Sequence, residues 1–398
     1  MIQILIALLL GVAAGCITGL TPGIHINLVA LLLFTFSPFF LKYTTPLVLV
    51  VFIIAMSITH TFLDFIPSIF LGAPDDDTAL SVLPGHKFLL KGQGYGAVKL
   101  TLIGSFWALF LILLMTPVFI FGLPKVYPFI KEYMAFILIA ASCFLIFKEK
   151  KSKFWALTLF FLSGILGVAT LNLAVIKQPL FPLLSGLFGV SMLAFSFLQN
   201  VKIPPQKITT IKIKPKESAK ALGASLIGGP LVSFLPGLGS AQAAVISSEI
   251  GGKLSQKGFL VLLGAINTIV MGLSFVALYA IQKPRTGAAV IVGKLLESFT
   301  LNHLLLFLAV ALVAGCIATF LTLEFAKLFA HTISKLNYRY LCLSIIILIA
   351  ALTIPLSGLL GLLVLFTATS IGLIAAIKGI KRMHLMGCLL LPVILYFL

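Results

Sequence analysis

The chain has 398 residues, of which 61% are hydrophobic and 10% charged, and its mean hydropathy is +1.21. A soluble domain is about half apolar and about a quarter charged, so a soluble fold is excluded and nearly the whole length belongs in a membrane. The formal charge of +18 resembles a nucleic-acid signal, but Lys and Arg sit in short loops between apolar runs, as the positive-inside rule expects.

At about 20 residues per span, the length allows roughly a dozen crossings plus shorter re-entrant pieces. The apolar runs are continuous rather than alternating, which speaks against a β-barrel. Residues 2–41 read as a first helical hairpin, with no basic n-region before it and hence no cleaved signal peptide. Its tip carries Gly15, Gly19, Thr21, Pro22, Gly23, His25 and Asn27. Pro22 removes a backbone donor and Gly23 relaxes the chain. Irregular backbone at membrane depth persists only when buried in protein or lining a wet cavity.

A span over 45–61 runs past His60 into Asp64 and Pro67, then into a second interruption at 71–85 that contains Pro74, Asp75, Asp76 and Asp77. Lys87, Lys91 and Lys99 mark a cytoplasmic loop. Residues 100–121 cross outward, 125–131 form a short loop, and 133–147 return. Residues 154–176 and 182–198 make a hairpin. Residues 200–220, with six lysines, three prolines and one Glu, read as a basic cytoplasmic linker.

The second half repeats the plan. Pro236-Gly237 lies 214 residues after Pro22-Gly23 and is followed by Gly239, Ser240 and Gln242. A span at 259–280 leads to an interruption at 282–287 that holds Lys283, Pro284 and Arg285. A span at 304–323, a hairpin of 342–352 with 356–377, and a last segment at 385–398 complete the chain. The lysines follow the second interruption in the first half but precede it in the second, so corresponding loops face opposite sides. The expected fold is an all-α polytopic membrane protein of two inverted repeats, 1–199 and 221–398, with broken helices around a midplane site.

Helix N-termini exposed at such breaks carry unpaired amides and partial positive charge, which suit a carboxylate or phosphate. The anion-binding candidates are Thr21, Pro22, Gly23, Asn27, Pro236, Gly237, Gly239, Ser240, Gln242, Lys283 and Arg285. Asp64 and Asp75, Asp76 and Asp77 are candidates for a coupling cation, Na+ or H+. Three readings of the Asp run stay open: a cation site, a pairing with Lys283 and Arg285, and a solvated loop. The five cysteines (16, 143, 316, 342, 388) read as helix packers, not disulfides or metal ligands. No GxxxxGK[ST] or HExxH occurs. These features predict a secondary transporter of a small organic anion, with no resident cofactor, in the plasma membrane. The alternatives are a translocase of a lipid-linked phosphate and, from another class, an intramembrane hydrolase.

Three motifs in order resemble the large membrane subunit of tripartite tricarboxylate transporters. These are Gly-x-x-x-Gly-x-x-Pro-Gly at 15–23, the stretch 69–105 with Thr-Ala-Leu and a Lys-Gly-x-Gly loop, and PGLGSAQAA at 236–244. The length is similar to the shorter archaeal-type branch. Asp75–Asp77 and Gln282-Lys283-Pro284-Arg285 depart from the family pattern. The resemblance implies cation-coupled uptake of a di- or tricarboxylate, together with a small membrane subunit and an extracytoplasmic binding protein.

Overall fold

The computed structural model describes residues 2–21, 26–72, 78, 82–198, 203–234, 240–252, 254–296, 298–333 and 338–398. Among them every regular element is helical. The first half comprises α1 (Ile2–Leu20), α2 (Ile26–Thr35), α3 (Ser37–Phe40), α4 (Pro46–Leu63), α5 (Phe65–Phe70), α6 (Val82–Leu89), α7 (Gly94–Glu132), α8 (Met134–Phe147), α9 (Lys153–Leu171), α10 (Leu180–Leu184) and α11 (Ser191–Leu198). A π turn over Ser185–Val190 joins α10 to α11. The second half comprises α12 (Pro215–Phe234), α13 (Ser240–Ile250), α14 (Gln256–Ile281), α15 (Gly287–Leu295), α16 (Leu301–Ile333), α17 (Tyr338–Lys378) and α18 (Gly387–Phe397), with a 3-10 turn over Arg382–Met386.

Seven helices among the described residues are long and apolar enough to cross a membrane, fewer than the dozen crossings expected. The difference lies in how the chain is spent. Helix α7 has 39 residues, about 60 Å and twice the hydrocarbon thickness, and the 41 residues of α17 are two runs merged across a kink at Gly358. In α17, Gly358 has φ 72, and Ile349 before it and Leu365 after it both join one cluster with Val190. The helix therefore doubles back at Gly358, as the expected hairpin requires. In α7, the loop expected at 125–131 is helical through Pro124 and Pro128. Lys125 and Lys131 are exposed there without any glycine or Asx turn to end the helix.

Contacts between glycines and their neighbours fix the directions of the central helices. Gly11, Gly15 and Gly19 of α1 meet Ala55, Thr59 and Leu63 of α4 in turn, so α1 and α4 run parallel. This small-residue face lets the two backbones approach closely. Because α4 occupies that face, α2 packs instead on α15 and α4, and the expected 2–41 pair does not lie side by side. In the second half, Gly228 and Gly229 of α12 meet Ile266 and Ile269 of α14, again parallel. Gly228 also meets Ser247, and Gly251 meets Ala224, so α13 folds back antiparallel along α12.

Helices α7 and α14 run parallel and make the most extensive pairing among the described residues. Phe70, at the end of α5, lies beside Gly94, at the start of α7. Hence α4 ends where α7 and α14 begin, and α4 runs opposite to α14. Phe329, near the end of α16, packs its ring at a tilt against Phe70, 6.0 Å between centroids, so α16 runs with α4.

One end of this bundle is basic. Residues 203–214 carry no helix or strand there and are strapped to both halves. Gln206 accepts from the Gly94 amide (2.9 Å) and donates to the Leu89 carbonyl (3.0 Å), while Lys257 donates to the Lys212 carbonyl (2.9 Å). At the same end Lys148 pairs with Glu249 of α13 (3.0 Å).

The buried Glu149 ties the α8–α9 turn to the chain after α17. Its carboxylate accepts from the Lys150 and Lys151 amides and contacts the His384 ring nitrogen at 3.1 Å. Burial works to raise its pKa, but the Lys151 amide, His384, the Lys381 amide and the Lys381 charge together hold it below the usual carboxylate value. A depressed carboxylate contributes stability above its unfolded pKa of about 4.3 and loses it as pH falls through the folded value. Melting of the detergent-solubilised protein is therefore expected to fall more steeply below about pH 4 than melting of Glu149→Gln, which is already weakened at neutral pH. Parallel pH curves for the two proteins would contradict this.

Candidate functional site

The most enclosed helices meet at a polar seam. Helix α14 buries 94% of its most apolar stretch, and α4 is buried nearly all round in its second half. A helix apolar on every face belongs inside a bundle, so polar side chains on these two must find partners within the protein. Ser57 and Thr61 donate to carbonyls of their own helix. Other groups reach across: His60 contacts Thr18 of α1 at 3.1 Å, and Thr61 contacts Thr268 of α14 at 3.1 Å. Asp64, 3% exposed at the break between α4 and α5, accepts a 2.7 Å hydrogen bond from the Asn267 amide. This bond joins the first half of the chain to the second.

Each of the later interruptions is held by a serine of the helix before it. Ser68 of α5 donates to the carbonyl of Thr78, which is fully buried. Ser274, 206 residues further on, accepts from the amides of Arg285 (2.9 Å) and Thr286 (2.8 Å). Helix α14 ends at Gln282 in the left-handed conformation, φ 56, which turns the chain inward. Thr286 then caps α15 by accepting from the Ala289 amide. Arg285 donates from Nε to the Val232 carbonyl (3.0 Å), close to the end of α12. A cation suits a helix C-terminus. Lys283 sits 5.1 Å over the Tyr127 ring of α7.

Of the candidates from the first Pro-Gly break, Thr21 is half-buried and its amide donates to the Ile17 carbonyl. Helix α2 restarts at the fully buried Ile26. Pro22, Gly23 and His25 lie outside the described residues, as does the side chain of Asn27. At the second break α12 stops at Phe234 and α13 opens at Ser240, whose side chain is fully buried. Pro236, Gly237, Gly239 and the Gln242 side chain lie outside the described residues, and so do Asp75, Asp76 and Asp77.

Helices α2, α6, α13 and α15 have 8 to 11 residues, about 12–17 Å or half a bilayer. Helix α13 returns along α12 toward the basic end, while α2 and α15 lie together, with Lys294 over the Phe34 ring. Each of the four begins after one of the four interruptions read from the sequence. Helix amino ends suit anions. Among the described residues no group of three His, Cys, Asp or Glu is placed to hold a metal ion.

Asn267, Ser68 and Ser274 were not singled out from the sequence. The signal for Asn267 was present: an amide in the apolar run LLGAINTIV needs a buried partner.

A family model described as the tripartite tricarboxylate transporter TctA family matches residues 5–387. An uncharacterized protein of Methanocaldococcus jannaschii is 34% identical over 404 residues, covering 99% of each chain. No solved structure matches. The chain therefore belongs to the tripartite tricarboxylate transporter TctA family: it is a multi-pass plasma-membrane transporter component and not an enzyme.

Proposed function

We propose that this chain is the permease of a secondary transporter that carries a small organic anion, a di- or tricarboxylate, coupled to Na+ or H+. Residues 1–199 and 221–398 form two inverted repeats, and 200–220 connects them on the cytoplasmic side. The observation that carries this reading is the opposed direction of the two parallel pairs. Helices α1 and α4 run one way, α12 and α14 run the other, and the pairs are bonded through Asp64 and Asn267. Inverted repeats with interrupted helices place a substrate at the repeat interface, held by half-helix ends.

In this reading α12 and α13 form a re-entrant hairpin entered from the basic end. The substrate carboxylates meet the amides of Thr21, Pro22-Gly23 and Asn27 on one side, and of Pro236-Gly237, Gly239, Ser240 and Gln242 on the other (Pro itself lacks the N–H). Lys283 and Arg285 add positive charge. Asp64 holds the coupling cation, with Asp75, Asp76 and Asp77 as further ligands. The basic end is cytoplasmic by the positive-inside rule. A small membrane subunit and an extracytoplasmic binding protein complete the assembly and deliver the anion from outside.

The test is uptake of labelled carboxylates into liposomes, with and without a Na+ or pH gradient. Gradient-driven accumulation is expected. Arg285→Met removes a charge-assisted contact of about 1.5–3 kcal/mol and should weaken apparent affinity tenfold to a hundredfold. Uptake indifferent to every gradient and every carboxylate would refute the proposal.

A further inference from the structure

A second site lies at the basic end, away from the α4–α14 seam. Arg382 is 3% exposed, yet it carries a guanidinium that stays protonated in proteins. Its Nη1 donates to the Phe188 carbonyl (2.7 Å) and to Ser191 Oγ (3.3 Å). Phe188 lies in the π turn, where carbonyls leave the regular helical ladder. The buried Nη2 has no hydrogen-bond partner among the described residues. No carboxylate pairs with Arg382 among the described residues. Glu149, which meets the neighbouring Lys381 amide and His384 ring, has both oxygens engaged by the amides of Lys150, Lys151 and Lys381 and by His384.

Arg382 and Lys381 line a cavity of about 220 Å³ between α11 and the end of α17. Its other walls are apolar, formed chiefly by Met192, Phe195, Ala375, Ala376 and Ile380. Two carbonyls of the last turn of α17 are already occupied. The Gly379 amide donates to the Ala376 carbonyl and the Ile380 amide to that of Ala375, with Gly379 at φ 63. The mouth is positive: Lys381 is exposed, Lys151 reaches Gly379, and Lys378 sits over the Trp155 ring.

A buried charge needs a partner, and a guanidinium matches the geometry of phosphate oxygens. We propose that this pocket binds a phosphate group at Arg382 and Lys381, with the apolar wall receiving the first carbons of whatever ester carries it. The volume equals that of roughly seven liquid waters, enough for a phosphate and a short stem. Acyl chains of a lipid would lie outside it, along the exposed faces of α11 and α17.

The full-length protein, delipidated in detergent, is offered phosphatidylglycerol or a diacylglycerol without phosphate and read by native mass spectrometry. Retention of phosphatidylglycerol is expected to exceed that of diacylglycerol by about tenfold, as loss of charge-assisted hydrogen bonds implies. Ala376→Phe fills the pocket and should abolish that preference. Lys381→Gln, an exposed change that leaves the Phe188 and Ser191 contacts intact, should reduce it severalfold. A challenge with inorganic phosphate separates the sources: displacement of the lipid identifies a site for free phosphate, and no displacement identifies a headgroup site. Equal retention of both lipids with no effect of phosphate would overturn the proposal. So would wild-type retention in Ala376→Phe.

Discussion

Gly264→Leu is expected to leave no folded protein in the membrane. Gly264 of α14 and Gly104 of α7 cross so closely that a Cβ on either would overlap the other helix's backbone, at the Thr101 and Val261 carbonyls respectively. Ser105 completes the crossing by donating to the Gly264 carbonyl at 3.1 Å. Backbone atoms cannot rotate aside as a side chain can. Lipid is as apolar as leucine, so packing of this kind, and not exclusion from water, holds membrane helices together. Overpacking commonly costs about 1–3 kcal/mol, and an obstacle made of backbone places this case at or above the upper end. The control is Gly122→Leu on the same α7, where nothing lies within 4 Å of an added Cβ. Fluorescence-detected size exclusion and melting should show Gly122→Leu near wild type and Gly264→Leu aggregated or absent. A Gly264→Leu protein that melts like wild type would show that the α7–α14 crossing is not the structural centre.

The second large effect is expected at Asp64. A carboxylate at membrane depth costs a few kcal/mol unless paired or hydrated, and Asp64 is buried at a helix break with Asn267 donating to it. Asp64→Asn keeps the shape and removes the charge. Gradient-driven uptake should fall by about a hundredfold, the equivalent of losing a charge-assisted hydrogen bond at the upper end of its range. Asn267→Ala keeps the charge and should cost about tenfold. If Asp64→Asn transports normally under a gradient, the cation is held elsewhere and the Asp75–Asp77 run becomes the place to test.

Much of this architecture is legible from residues alone, for a physical reason. Helices α1, α12 and α14 stop within a few residues of Pro22-Gly23, Pro236-Gly237 and Pro284, as local chemistry suggests, whereas Pro124 and Pro128 stay inside α7. What escapes such reading depends on distant partners. The turn expected at 125–131 was inferred from two lysines, but charge alone does not end a helix that protrudes from the membrane. The segment 203–214 looks like a tether until Gln206 is seen holding Gly94 and Leu89. Asn267 and Arg382 become informative only through what faces them, a carboxylate from the other half for one and an unfilled donor position for the other.

The account depends on half-helices that open inside the bilayer. Spin labels at Ile26→Cys and Ser240→Cys, with the five native cysteines replaced by alanine, report that depth through their relative accessibility to oxygen and to a water-soluble nickel complex. Both labels should lie about 15 Å from the nearer headgroup boundary, with accessibility that drops when a tricarboxylate is added. Either label at interfacial depth, unchanged by any carboxylate, would contradict a midplane anion site.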